Sequence, residues 1–269
     1  MKSLVLSLLL TGALIVLSGH EFWLLPDKFM YHRGEEINIS FLVGENFEGE
    51  NWSGDSSKIN KLLYYYGGVK DELPRKLFPG KGDTLHLRQY DEGTNMLTYN
   101  SFNAFIKMEA GKFNEYLTED GLTDAINYRT EHNETDSAGR EFYQRSVKTI
   151  FQVGNVKDET YKQPTSLPLD IIPLSHPYRH MTGAEMSFKI LFQNSPLPNT
   201  MIKIWHHGKN RVVTTVLTTD ENGLVKFPVE TNGRWMVSCV KMVRLDRNEN
   251  SEIYIPWQSY WGSCTWGYY

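Results

Sequence analysis

The chain has 269 residues, with 28 Lys and Arg against 32 Asp and Glu, which gives a formal net charge of -4. This mildly acidic balance argues against nucleic acid or an anionic membrane surface as a partner, because both attract basic proteins. Aromatic residues make up 13% of the chain, including seven Trp and fifteen Tyr. Strands accommodate such side chains better than helices do, so the composition favours a mainly β protein.

The first nineteen residues (1–19) have the three parts of a signal peptide. Lys2 supplies the positive charge, residues 4–17 form an almost uninterrupted apolar run, and Ser18-Gly19 provides the small residues of a cleavage site. The run is shorter than the roughly 18 to 20 residues that cross a bilayer, so we expect cleavage and no stable membrane span in the mature form. Cleavage after Ser18 and after Gly19 both stay open. We expect a periplasmic or secreted protein of a bacterial envelope.

Residues 20–160 predict an N-terminal β-rich domain. Apolar residues alternate with polar ones over residues 37–43, which is the period of a strand with one buried face. Near residues 109–130 the apolar spacing changes to i, i+3, i+4 on either side of Gly121, and this predicts a short helical insertion.

The polar stretch 155–168 contains two prolines and is the predicted domain boundary. In residues 168–269 short strands recur at roughly 8 to 12 residue spacing with turn signals between them, which is typical of a Greek-key sandwich. The predicted fold is therefore mainly β, with two β-sandwich domains and a helical insertion in the first.

Cys239 and Cys264 are the only cysteines in the sequence. Two thiols in one small domain of an exported protein are more often a disulfide than a metal pair. We therefore predict a disulfide between two late strands of the second domain.

Known catalytic signatures are missing from the sequence, including the nucleophile elbow, the phosphate loop, the dinucleotide-binding turn, the zincin helix and the EF-hand. The carboxylate pairs Glu35-Glu36 and Glu119-Asp120 fit a turn and a helix surface better than an acid/base pair. We expect a protein that is not an enzyme.

Histidine placement carries the strongest chemical signal. If His20 is the first residue of the mature chain, its α-amino group and its imidazole can chelate one metal ion together. A second histidine would complete a three-nitrogen set suited to Cu or Ni, which stand high in the divalent affinity order. An additional Gly19 in front of His20 would prevent this chelation.

Four further histidines are weaker candidate ligands. His176 and His180 flank a Pro-containing segment, which does not by itself bring two rings together. His206 and His207 are adjacent at a strand end, where neighbouring side chains point to opposite faces unless a turn bends them. Each of the four fits a polar loop residue better than a metal ligand.

Several motifs, in order along the chain from His20 to the C-terminus, resemble the domain-of-unknown-function family 4198. They are HEFWL at residues 20–24, KFNEYL at 112–117, EDGL at 119–122, REFYQR at 140–145, FQVG at 151–154, LDIIP at 169–173, DENG at 220–223, GRW at 233–235 and WQSYW at 257–261. Members of this family are bacterial periplasmic proteins that are often described as nickel-uptake or cobalt/nickel transport components.

The resemblance implies an immunoglobulin-like or transthyretin-like C-terminal half and a role in handling divalent metal. His20 matches the family's histidine after the signal peptide. Lys241 departs from the pattern, since we expect many members to have a histidine there, and an ammonium group is a poor ligand.

The leading hypothesis is therefore a periplasmic protein that binds nickel, cobalt or copper for uptake or homeostasis, with envelope transport components as possible partners. The alternative is a non-enzymatic accessory or adhesion module that binds protein or glycan through the aromatic residues 257–269. A third hypothesis is a copper oxidase or monooxygenase with an N-terminal histidine brace, which requires a second histidine able to bind the same metal ion as His20.

Overall fold

A computed structural model describes residues 20–52, 56–74, 84–209, 211–247 and 254–269. The predicted signal peptide lies outside these residues. The described chain is mainly β, as the composition predicted. Its strands and helices are β1 Glu21–Pro26, β2 Met30–Tyr31, β3 Glu36–Glu45, β4 Glu48–Asn51, β5 Ile59–Tyr66, β6 Val69–Glu72, β7 Thr84–Arg88, β8 Gly93–Ser101, β9 Ala104–Met108, α1 Ala110–Glu119, α2 Thr123–Glu131, β10 Gly139–Val153, β11 Leu169–Pro173, β12 Glu185–Phe192, β13 Ser195–Pro196, β14 Met201–His207, β15 Val212–Thr218, β16 Leu224–Pro228, β17 Arg234–Arg244 and β18 Trp257–Gly267.

One long sheet contains strands from both halves of the chain. Its order is β15-β14-β17-β18-β10-β8-β5-β6, and β2 and β9 also pair with β10. The halves meet where β10 and β18 run parallel, from Glu141 opposite Trp257 to Thr149 opposite Thr265. The predicted boundary at residues 155–168 falls after β10, but the last strand, β18, returns to pair with β10. Both halves therefore share the central sheet.

Two smaller sheets cover opposite faces of this central sheet. The first contains β1, β3, β4 and β7, and the second contains β11, β12, β13 and β16. Neighbouring residues of β5 pack into different cores. Tyr64 belongs to the core under the first small sheet, and Tyr65 belongs to the core under the second. Side chains alternate across a strand, so one sheet can supply two cores. The arrangement is three β layers.

The alternating strand predicted at residues 37–43 is confirmed by β3, in which Ile37, Ile39 and Phe41 are fully buried. The helical insertion predicted near 109–130 is also confirmed, by α1 and α2. Helix α1 ends at Glu119, and Gly121 just beyond it has a φ of 64°, a left-handed value that glycine adopts without strain. The Leu122 amide donates to the Leu117 carbonyl at 2.8 Å and closes this end of the helix.

The helices pack on the same face of the central sheet as the first small sheet. Phe113 and Leu117 of α1 share a buried cluster with Val240 and Met242 of β17 and Trp257 of β18. In the described part of the chain, no helix is long and apolar enough to span a membrane.

Candidate functional site

Strand β1, which follows the predicted signal peptide, is mostly buried and is paired in a sheet. Trp23 and Leu24 are fully buried. Two side chains of β18 bind the β1 backbone: Ser263 Oγ donates to the Phe22 carbonyl at 2.7 Å, and Thr265 Oγ1 donates to the Leu24 carbonyl at 2.6 Å. The residue in front of β1 is therefore held in one place.

That residue is His20, and its ring is fixed by a carboxylate. His20 Nε2 lies 2.8 Å from Glu45 Oε1, and the His20 side chain is 19% exposed. The register of β1 with β3 explains the contact, because Glu21 lies opposite Gly44. On the other side, Arg145 Nη1 donates to the His20 carbonyl at 3.4 Å. A ring whose Nε2–H donates to a carboxylate keeps the Nδ1 lone pair available to a metal ion.

A buried cluster of charges lies next to His20. Lys203 Nζ is 2.6 Å from Asp120 Oδ1 and 3.6 Å from Glu21 Oε1. Burial raises the pKa of Glu21 to about 7, with Lys203 opposing the shift, and burial also raises the pKa of Asp120. Burial by itself would lower the pKa of Lys203, but the carboxylates of Asp120 and Glu21 outweigh it and the pKa is raised. The adjoining cavity has about 10 Å³, which is room for a single water.

The cluster continues under helix α1. Ser259 Oγ donates to Glu141 Oε1 at 3.1 Å, and the Tyr116 hydroxyl also interacts with this carboxyl group. Burial raises the pKa of Glu141 to about 8. Tyr116 of α1 stacks on Trp261 with 5.5 Å between the ring centroids. Glu141 is therefore a carboxylic acid held in a mostly apolar setting, where its neutral form is favoured.

Asp120 corrects one expectation, because it is 6% exposed and does not lie on the helix surface. Sequence analysis also did not identify Glu45, Lys203 or Arg145. Glu21, Asp120 and Arg145 lie within the motifs HEFWL, EDGL and REFYQR, but the motifs assign them no role. Glu45 and Lys203 lie on strands whose pairing is non-local, so a local pattern carries no signal for them.

His176 is a satisfied core histidine. It is 5% exposed, its Nδ1 accepts from the Tyr178 amide at 3.1 Å, and its Nε2 lies 2.9 Å from Thr94 Oγ1. Burial, together with nearby Arg179, lowers its pKa to about 4. Both ring nitrogens are engaged, so no lone pair is free for a metal ion. His180 lies separately, with Nε2 at 2.9 Å from Ser175 Oγ.

His206 and His207 are consecutive in β14, so their side chains point to opposite faces of the sheet. The His206 ring stacks on Trp235 with centroids 4.0 Å apart, and its Nε2 lies 3.1 Å from the Asn232 carbonyl. Within the described ranges, no group of three or more His, Cys, Asp or Glu side chains is placed to hold a metal ion. The five candidate histidines do not form one cluster.

Cys239 and Cys264 are free, buried thiols in this structure, so the predicted disulfide is not formed. Cys239 lies opposite Gly262, and Cys264 lies opposite Val237. The cysteines are therefore diagonal neighbours on adjacent strands. Diagonal Cβ atoms are roughly 7 to 8 Å apart, whereas a disulfide needs about 3.5 to 4.5 Å.

The aromatic C-terminus contributes to the cores. Trp257 is 3% exposed and Trp266 is fully buried, while Trp261 is half-buried against Tyr116. Two of the three tryptophans of this segment are therefore core residues, while Tyr269 at its end is 45% exposed. Lys241, which departs from the family pattern, lies 3.4 Å from Asp124 Oδ2 and forms an ion pair with it.

A large open cleft lies elsewhere, between β15 and β16. It has about 1080 Å³, and its lining includes Arg211, Val213, Phe227 and Trp235. One face of Trp235 is covered by His206, and the other lies toward Trp266 at 6.0 Å between centroids. Neither indole face is free for a sugar ring to stack on.

The chain has a distant likeness to several solved structures. The chain aligns with a mutant of Salmonella alpha-2-macroglobulin at 11% identity over 92% of this chain and 15% of that one, with a TM-score of 0.25. A DUF4785 family protein from Legionella pneumophila aligns at 11% identity over 80% of this chain and 50% of that one, with a TM-score of 0.22. Elastase-activated Escherichia coli alpha-2-macroglobulin aligns at 12% identity over 92% of this chain and 20% of that one, with a TM-score of 0.22. The chain spans about 15% to half of the length of these proteins.

No curated protein matches the chain. A family model does match, over residues 17–242, and its description is "Domain of unknown function (DUF4198)". The match covers most of the chain and includes β1, both helices and most of β17. The chain therefore belongs to the DUF4198 family.

Proposed function

We propose that this is an exported, periplasmic protein that binds a divalent transition metal ion (nickel, cobalt or copper) at His20, for uptake or homeostasis. The observation that carries the proposal is the contact of 2.8 Å between His20 Nε2 and Glu45 Oε1. A carboxylate on the far nitrogen of an imidazole fixes the tautomer and makes the ring a stronger ligand.

Removal of the signal peptide would add a second metal donor at His20. Cleavage after Gly19 would free an α-amino group, with a pKa of roughly 7.7 to 8, on the same residue as the Nδ1 donor. Two nitrogen donors on one residue favour the later first-row divalent ions. The proposal assigns His20 as the protein ligand and Glu45 as its orienting partner, and it assigns no catalytic residue.

The small donor set fits a carrier better than a storage site. One histidine residue leaves coordination positions open, so water or a ligand of another protein can take them. A transport component of the envelope could then receive the ion by ligand exchange. The partly exposed position of His20, directly in front of strand β1, supports this role.

Metal titration by calorimetry of the correctly processed protein tests the proposal. We expect binding tighter than micromolar by at least one of the three metals, loss of it in His20→Ala, and about tenfold weaker binding in Glu45→Gln. His32→Ala, which removes an exposed histidine in a turn, is the matched control and should bind like the wild type. No binding tighter than micromolar by any of the three metals would reject the proposal.

A second candidate function is a module that binds an extended protein segment, and strand β15 favours it. This strand is one end of the central sheet. Thr219 donates to the Thr200 carbonyl and accepts from the Asn199 amide, so alternate residues of β15 direct their backbone groups away from β14. The residues whose N–H and C=O point outward are Val212, Thr214, Val216 and Thr218.

The opposite end of the sheet is protected by charge. Strand β6 contains Lys70, Asp71 and Glu72, whereas β15 has no charged residue. Charged edge strands discourage pairing with another chain, and uncharged ones permit it. Because Trp235 has no free face, the cleft beside β15 favours a peptide over a glycan.

Site-specific photo-cross-linking in the native envelope tests this second candidate. Val216→p-benzoylphenylalanine should give a discrete protein adduct, because Val216 is 54% exposed on the open edge. The same substitution at Val69, which is 43% exposed on the charged edge, should give none. Equal labelling at both positions, or none at either, would argue against it.

A further inference from the structure

Arg145 is a guanidinium with few partners. Its side chain makes one hydrogen bond within the described structure, the 3.4 Å contact to the His20 carbonyl, and the Glu21 carboxylate interacts with it electrostatically without forming an ion pair. By contrast, half-buried Arg244 makes two bonds to Glu134 at 2.9 and 3.0 Å. A guanidinium has five N–H donors, so most of the donors of Arg145 are uncommitted.

Aromatic rings hold Arg145 in place. Its guanidinium carbon lies 4.9 Å from the Phe22 ring centroid and 5.5 Å from the Tyr143 centroid. The backbone is fixed as well, since the Arg145 amide donates to Ser101 Oγ at 2.9 Å and its carbonyl accepts from Asn100 Nδ2 at 3.0 Å. The guanidinium of Arg145 is therefore held in position before a ligand binds, and this limits the conformational entropy lost on binding.

A cavity of about 270 Å³ lies against this guanidinium. Lys58 provides a second positive charge in its lining, and Ser101 and Asn103 provide polar groups. The rest of the wall consists of Ser57 and of apolar and aromatic residues, with Tyr99 buried and Phe102 46% exposed. The described lining contains two cations and no carboxylate. Its volume is near the lower end of ligand pockets, which start at roughly 300 Å³.

We propose that this cavity, defined by Arg145 and Lys58, binds a small organic carboxylate with an apolar or aromatic body. Two parallel N–H groups of the Arg145 guanidinium match the two oxygens of a carboxylate. Bidentate pairs of this kind are stronger than hydrogen bonds between neutral groups. The wall of Tyr99, Phe102 and Tyr143 receives the body of the ligand. This site does not require that His20 bind a metal ion.

Calorimetric titration of the mature, chelator-treated protein with benzoate tests the proposal. We expect a dissociation constant of about 1 mM or tighter. Benzamide has the same shape without the charge, and it should bind at least about tenfold more weakly. Inorganic phosphate has the charge without the apolar body and should also bind more weakly. Benzamide or phosphate binding as tightly as benzoate would overturn the assignment to an organic carboxylate.

Two variants assign the binding to the cavity. Arg145→Gln should weaken benzoate binding about tenfold or more, while Arg234→Gln serves as the matched control. Arg234 also stacks on a ring, at 5.1 Å from the Phe47 centroid, and donates to the Phe47 carbonyl, but it does not line this cavity. Should Arg145→Gln fail to fold, exposed Lys58→Gln should still weaken binding severalfold. No benzoate binding at about 10 mM, or unchanged binding in folded variants of both Arg145 and Lys58, would overturn the proposal.

Discussion

The ammonium group of Lys203 on β14 lies 2.6 Å from the carboxylate of Asp120, at the end of helix α1. This contact joins the helical insertion of the N-terminal half to a strand of the C-terminal half. Its partners are 18% and 4% exposed, so water screens the pair weakly.

Lys203→Met should therefore lower the free energy of unfolding by about 3 kcal/mol, because it leaves the carboxyl groups of Glu21 and Asp120 buried without their cation. The control is Lys226→Met, which removes an exposed ion pair with Glu185 and should cost less than about 0.5 kcal/mol. Urea denaturation of both variants measures the difference. Equal losses in the free energy of unfolding would show that the buried ion pair contributes no more stability than the exposed one.

Glu141 should make stability fall as pH rises. The folded state keeps the proton up to about pH 8, whereas the unfolded state loses it near the ordinary value of 4.5. The folded state binds more protons in this window, so the free energy of unfolding decreases from about pH 4.5 to about pH 8. Glu141→Gln removes this contribution, and the variant should gain stability relative to the wild type between pH 5 and pH 8. A difference between the two urea midpoints that does not change with pH would contradict this origin.

Thr265 should stabilise the position of β1. Thr265→Val keeps the shape of the side chain but leaves the Leu24 carbonyl without its 2.6 Å hydrogen bond, at a cost of about 1 to 2 kcal/mol. Thr214→Val changes an exposed residue of β15 and should stay within about 0.5 kcal/mol of the wild type. Thermal or urea unfolding measures both, and a cost at Thr265 no larger than at Thr214 would contradict the anchoring role.

Cys239 and Cys264 should be unreactive in the folded protein. Burial raises the pKa of each thiol to about 12, so thiolate is rare at pH 8. Iodoacetamide should label neither thiol in the folded state and both thiols in urea without reductant. Absence of labelling in urea, with an intact mass lower by two hydrogens, would instead demonstrate the disulfide predicted from the sequence.

Local patterns predicted the strands and the helices well. Alternation identified β3, and the i, i+3, i+4 spacing identified the two helices on either side of Gly121. The shared central sheet was not predictable in this way, because β10 pairs with β18 across more than 100 residues of sequence. No pattern within one strand specifies such a partner.

The candidate site was predictable only in part, for the same reason. His20 is visible in the sequence because it follows a signal peptide. Its partner Glu45 becomes visible only through the register of β1 with β3. Asp120 and Lys203 resemble ordinary surface charges until the fold buries them against each other. The sequence therefore identified the ligand candidate but not its surroundings.

The central claim concerns a single peptide bond, the one between Gly19 and His20. Two proteins test it most directly: one that begins at His20, released from a fusion that leaves no additional residue, and one that begins at Gly19. Titration with Ni²⁺, Co²⁺ and Cu²⁺ should give binding tighter than micromolar for the chain that begins at His20, and at least about tenfold weaker binding for the longer chain, which lacks the α-amino donor on that residue. Equal affinity of the two chains, or no binding by either, would contradict the account.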